Sequence, residues 1–127
     1  MPDNLVLQWQ MVAKPAEGEA ATFTFLQHFA PDSGIPAHDY EGFVICYQGE
    51  FKAYRNSCPH MGSPLDWLPN QFFSEDGCQL VCHTHDARFE PLSGDCLSGP
   101  CPHGLEALPI QNLQSDSIEV PSEIKAQ

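Results

Sequence analysis

Apolar residues in this chain fall in short runs separated by turn formers, and no segment repeats them at helical spacing. Thr22-Phe23-Thr24-Phe25-Leu26 alternates strictly, which places Phe23 and Phe25 on one face of a strand. Leu5 to Val12 alternates less regularly and also reads as a strand. Phe43–Tyr47 and Phe51–Tyr54 predict a hairpin, with Gln48-Gly49-Glu50 between them to supply a positive φ. Cys78–Val81 predicts a short strand, and Leu105–Gln111 and Ser117–Val120 predict closing strands. Turns are expected at Pro31-Asp32-Ser33-Gly34, Glu75-Asp76-Gly77 and Pro91-Leu92-Ser93-Gly94, and a loop from Lys14 to Ala21. The expected fold class is all-β, and the 12 prolines and 9 glycines agree with it.

A chain of 127 residues predicts one domain, 1–127, able to bury roughly two-thirds of its unfolded surface. The formal net charge of −12 argues against nucleic acid and anionic membranes as partners. It favours solubility or docking on a basic protein surface. No stretch approaches the roughly 20 apolar residues of a membrane span. Met1-Pro2-Asp3-Asn4 lacks the basic start of a secretory signal, so a cytoplasmic location is expected. In that setting six cysteines read as metal ligands or free thiols rather than a disulfide framework.

The chemistry concentrates between Cys58 and His85. Cys58-Pro59-His60 opens the stretch and Cys82-His83-Thr84-His85 closes it, with residues 61–81 between. Each end offers one thiolate and one imidazole from loop-like sequence. A zinc site could use two Cys and two His, but zinc motifs usually pair Cys with Cys and His with His. A Rieske [2Fe–2S] centre puts two Cys on one iron and two His on the other. Two loops that each carry a mixed pair satisfy that arrangement.

Cys58-Pro59-His60-Met61-Gly62-Ser63-Pro64-Leu65 and Cys82-His83-Thr84-His85-Asp86-Ala87-Arg88-Phe89 resemble the cluster-binding loops of Rieske ferredoxins. The resemblance covers roughly 43–120 and includes Gly94-Asp95-Cys96-Leu97-Ser98-Gly99-Pro100-Cys101, where Gly99-Pro100 matches the family's proline loop. It implies a Rieske-like antiparallel β-sandwich or barrel, with a cluster-binding subdomain of two loops at about 56–104. It implies a [2Fe–2S] cofactor, held by Cys58 and Cys82 on the buried iron and His60 and His85 on an outer, exposed iron. High-potential relatives add a cysteine to each loop; Ser63 and Thr84 stand at those positions here, so that bridge is absent. Such relatives also carry Ser and Tyr where this chain has Ala87 and Phe89, and Gly is common where it has Asp86. A low potential follows.

The implied function is one-electron transfer, as in the ferredoxin components of ring-hydroxylating oxygenases, with a reductase and an oxygenase-like acceptor as partners. The small subunit of a nitrite reductase is an alternative, and a structural zinc protein another. The chain itself is read as a carrier rather than an enzyme. The remaining residues have plainer readings. Cys46 and Cys78 read as buried core thiols, and Cys96 and Cys101 as free thiols, with a disulfide as the alternative. His83 reads as a non-ligand, and His28, His38 and His103 as surface or capping residues. Trp67 and Phe72 read as a hydrophobic cap beside the loops, or else as part of a docking patch.

Overall fold

The computed structural model describes residues 5–57, 65–66, 71–82, 86–99 and 103–126. The described residues hold nine strands and no helix. They are β1 (Leu5–Ala13), β2 (Ala20–Gln27), β3 (His38–Tyr47), β4 (Glu50–Arg55), β5 (Leu80–Cys82), β6 (Ala87–Phe89), β7 (Cys96–Ser98), β8 (Ala107–Leu108) and β9 (Ser117–Ala126). A six-stranded sheet runs β1-β9-β2-β3-β4-β8, and a three-stranded sheet runs β5-β6-β7.

The predicted hairpin is the centre of the larger sheet. Gln48 (φ 53°) and Gly49 (φ 78°) both take left-handed conformations, and Tyr47 pairs with Glu50. That is the two-residue turn whose twist matches antiparallel strands. Glu17 secures it by accepting from the amides of Gln48 (2.7 Å) and Gly49 (2.9 Å). Those two bonds, Gly49's first, hold the Glu17 carboxyl below its ordinary range. The apolar run 43–46 is buried on both faces of β3. Phe43 and Ile45 face the core that contains the small sheet, while Val44 faces a second core with Phe23, Phe25, Ile118 and Ile124.

Several strands differ from their sequence reading. β9 continues through Pro121, although proline would be expected to stop it. The β1–β9 register shifts there, with Trp9 opposite Pro121 and Gln8 opposite Glu123. A proline at a register shift costs little, since the ladder is already interrupted. β8 is cut to two residues before Pro109, though Gln111 still makes an isolated bridge to Glu119. β5 begins at Leu80, not Cys78. The expectation that Cys78 is a buried core thiol is corrected: it is exposed in the turn before β5. Ser74 and Asp76 build that turn, Asp76 accepting from Ser74 (2.6 Å) and from the Cys78 amide (3.0 Å). Cys46 is buried as expected, and burial pushes its thiol pKa up.

The small sheet is tied to the large one through Tyr54. Its ring is buried and its hydroxyl donates to the Pro91 carbonyl at 2.7 Å, across to the turn that joins β6 to β7. Burial pushes the phenol well above its ordinary range, so it stays a donor. Tyr54→Phe leaves that carbonyl unsatisfied. We expect a loss of about 1–3 kcal/mol in urea unfolding with little change in the slope of the transition.

Candidate metal centre

Of the four ligand candidates, Cys82 lies within the described residues, while Cys58, His60 and His85 lie outside them. Cys82 ends β5 as a fully buried free thiol. It shares a core with Leu65, Phe72, Leu80, Ala87 and Phe89. Both strands next to it are buried on each side of the second loop: β5 leads in, and Ala87–Phe89 lead out as β6. Cys82 pairs with Ala87 across the two strands.

The turn between them has a specific backbone. The Asp86 amide donates to the Cys82 carbonyl at 2.8 Å, and Asp86 itself has φ 58°. A left-handed residue is needed at this point, which explains the relatives' glycine, and Asp is among the side chains that tolerate it. The Asp86 carboxylate is exposed and pairs with Arg88 at 3.3 Å. Arg88 also donates to Gln79 at 3.3 Å. Ala87 and Phe89 are both wholly buried and carry no polar atom on their side chains.

Gly99 sits directly on this turn. A Cβ at Gly99 would lie 2.7 Å from Ala87 Cα, and its φ is 93°. Gly99 is therefore where the segment after β7 seats against the second ligand loop; Pro100 and Cys101 lie outside the described residues. The free-thiol expectation for Cys96 is corrected: it is disulfide-bonded, and its partner sulfur lies outside the described residues. Compartment says nothing about which sulfurs the fold brings together.

The other candidates resolve simply. Phe72 is fully buried and stacks on Phe43 with ring centroids 4.0 Å apart, so it is core and cannot form a docking surface. Trp67 and His83 lie outside the described residues. His103 is exposed and bonds the Gly104 carbonyl (2.9 Å). His38 packs edge-on against Tyr40. His28 is half-buried and hydrogen-bonded to Glu123, so it ties β9 to the end of β2 rather than simply facing water. Sequence reading passed over Asn56, Glu41 and Arg88. Strand alternation was the available signal for Asn56: it follows Tyr54 by two, and Tyr54 points inward.

A Rieske [2Fe–2S] domain profile matches residues 8–109. The chain belongs to the Rieske [2Fe–2S] domain family. One relative is the ferredoxin component of the p-cumate 2,3-dioxygenase system of Pseudomonas putida. It is 31% identical over 67 residues, and the match spans 53% of this chain and 53% of that one, about half of each. Among solved structures, the ferredoxin of carbazole 1,9a-dioxygenase from Nocardioides aromaticivorans IC177 aligns with TM-score 0.57 and 19% identity. That alignment covers 84% of this chain and 88% of that one. A complex of reduced oxygenase and oxidized ferredoxin in carbazole 1,9a-dioxygenase aligns with TM-score 0.62 and 19% identity, covering 94% of this chain and 97% of the matched chain. These likenesses confirm the all-β Rieske fold.

The family's cofactor is a [2Fe–2S] cluster, and the residues of this Rieske domain suit one. Its mixed thiolate–imidazole pairs would suit a Rieske centre better than a zinc knuckle. A free thiol buried among apolar side chains, with a tight turn behind it, suits the inner of two irons. Gly99→Ala adds a methyl against backbone at a φ hostile to side chains. We expect it to lower the stability of the iron-free chain by at least about 1 kcal/mol in chemical denaturation. An unchanged midpoint would mean that Gly99 is not seated on Ala87.

Proposed function

We propose that this Rieske domain is a one-electron carrier, the ferredoxin component of an oxygenase system, with Cys58, His60, Cys82 and His85 as the cluster ligands. The mixed donor pairs at Cys58/His60 and Cys82/His85 carry this reading. The relatives support it, since those described are ferredoxin components of dioxygenase systems, or complexes with one, rather than reductase subunits. We further infer a single domain over 1–127, with the cluster-binding part at about 56–104, and a cytoplasmic location. Among the described residues no helix is long and apolar enough to cross a membrane.

When bound, the cluster supplies reversible storage of one electron. The chain decides how tightly that electron is held. Cys58 and Cys82 would contribute two thiolate charges to the inner iron, and His60 and His85 neutral imidazoles to the outer one. Ala87 and Phe89 offer no hydroxyl where a hydrogen bond to sulfur would favour the reduced state. Asp86 places a negative charge close to the second loop, which disfavours reduction; its pairing with Arg88 offsets part of that effect.

The surface suits a basic partner. Beside the second loop an open groove of about 900 Å³ is lined by Glu19, Glu75, Asp86 and Arg88, with the half-buried Phe73 among its walls. Three of the five cations are already occupied. Lys14 lies over the Phe51 ring, Arg55 stacks 3.8 Å above Tyr40, and Arg88 is held by Asp86. The acidic excess therefore dominates what a partner meets, and it would speed encounter with a cationic surface.

Elemental analysis tests the ligand assignment. Protein made with iron available is expected to hold two irons and two acid-labile sulfides per chain, as a [2Fe–2S] centre requires, and His60→Ala or His85→Ala to lose the cluster. One zinc with no sulfide would overturn the proposal. The midpoint potential is expected near the bottom of the Rieske range, around −150 mV. Ala87→Ser and Phe89→Tyr are each expected to raise it, read by protein-film voltammetry. A midpoint above roughly +100 mV would contradict the role assigned to Ala87 and Phe89.

A further inference from the structure

Asn56 is the one polar residue that the described core encloses, at 7% exposure. It immediately follows β4 and lies two positions before Cys58. Its backbone amide donates to the Glu41 carbonyl at 2.8 Å, continuing the ladder to β3. Its side chain reaches forward. Nδ2 donates to Glu41 Oε1 at 2.5 Å and to Asp66 Oδ1 at 2.9 Å, while Oδ1 accepts from the Leu65 amide at 2.7 Å. Leu65 in turn is wholly buried in the core that contains Cys82. One side chain thus joins three places: the body of β3, the end of β4, and the far end of the stretch 57–64 that contains Cys58 and His60.

The chemistry of the contact demands an amide. Two donors and one acceptor are used at once, and both donors meet carboxylates, which makes these bonds stronger than neutral ones. The orientation is settled by its partners: turning the amide over would set an NH₂ against the Leu65 N–H and an oxygen against two carboxylates. An aspartate could accept from Leu65 but would face Glu41 and Asp66 as a third negative group. Arg55, the nearest cation in sequence, is engaged with Tyr40 and with Glu106 at 3.5 Å. The buried side-chain nitrogens and oxygens of the described residues all have partners, so this network is complete as it stands.

We propose that Asn56 is the positioning residue of the first ligand loop, holding its two ends together before a cluster is bound and keeping Cys58 and His60 in place afterwards. The second clause rests on those two residues being ligands; the first does not. Among the described residues Asn56 bonds Glu41, Leu65 and Asp66, none of them a ligand candidate. It acts through the loop it closes, in a part of the fold where the inter-loop disulfide of high-potential relatives has no counterpart at Ser63 and Thr84.

The test uses the full chain and reverses the polarity of the network. Asn56→Asp removes both donated bonds. Combining it with Glu41→Gln and Asp66→Asn restores them in the opposite sense, the amides at 41 and 66 donating to the new carboxylate. In iron-free protein, Leu65 amide hydrogen exchange is expected to quicken about tenfold or more in Asn56→Asp and to return to within about threefold of wild type in the triple variant. In iron-loaded protein, cluster release should follow the same order by about the same factors, and the electron paramagnetic resonance g-values of the reduced centre should shift in the single variant and return in the triple. Should Asn56→Asp fail to fold, Asp66→Ala removes one charged bond at the half-buried loop end, and Leu65 exchange is then expected to rise several-fold. Leu65 exchange within about twofold of wild type in Asn56→Asp or Asp66→Ala would overturn the proposal, as would a triple variant no better than the single. A wild-type chain that takes up no iron would instead sink the ligand assignment, leaving the Leu65 measurement to judge Asn56 alone.

Discussion

The packing of the small sheet against β3 and β4 is the contact on which the rest of this molecule depends. Phe43 and Tyr54 present rings from the large sheet; Phe72, Leu80 and Phe89 meet them from the other side. Cys82 and Ala87 lie in the same core, so both residues that bound the stretch 83–86 are anchored there. Aromatic stacking and burial supply the attraction, and the Tyr54 hydroxyl fixes the register between the sheets. The Cys82 sulfur is held by the apolar core around it, with Leu65, Phe72, Leu80, Ala87 and Phe89.

Rigidity at the second loop and at the first has different origins. The second is short, bounded by two paired strands, pinched by a left-handed Asp86 and pressed by Gly99. At the first, the described ends, Asn56 and Leu65–Asp66, are joined by polar bonds. Asn56 supplies them from a buried position, donating to an exposed Glu41 and a half-buried Asp66. Apolar packing fixes one loop and a hydrogen-bonded network the other. These two mechanisms respond differently to substitution: methyl-sized changes matter most at Gly99 and Ala87, and changes in donor count matter most at Asn56.

Electrostatics then sets how the centre is used. Three of the chain's five cations lie over rings or beside a carboxylate, so the acidic excess is what a partner would meet. Near the second loop the pairing of Asp86 with Arg88 would moderate a charge that a cluster held there would otherwise feel. Ala87 and Phe89 make the interior behind the ligands apolar. In the proposed carrier role such a chain would hold its electron loosely and present a negative surface, which would suit a cationic acceptor site.

Local chemistry decided part of this protein in advance. The Cys-x-His and Cys-x-x-His spacings are properties of adjacent residues, and so is the alternation that marks β2 and the hairpin of β3 and β4. These were legible because strand period and ligand reach extend over only a few bonds. Asp86 stands where glycine is common, but its left-handed backbone became known only from the structure. Tertiary structure decided the rest. Proline marked a strand end at Pro121, yet the register shift opposite Trp9 let β9 run on. Cys78 and Cys82 sit on one short segment, but a turn built by Ser74 and Asp76 leaves one exposed while the core closes over the other. Cys96 pairs because of what the fold brings to it. Asn56 looks like an ordinary polar residue ahead of a loop; only the arrival of Glu41 from β3 and of Leu65 and Asp66 from beyond that loop makes it a buried junction. In each case the deciding neighbour is distant in sequence, and burial and hydrogen-bond satisfaction are properties of the assembled neighbourhood rather than of the residue.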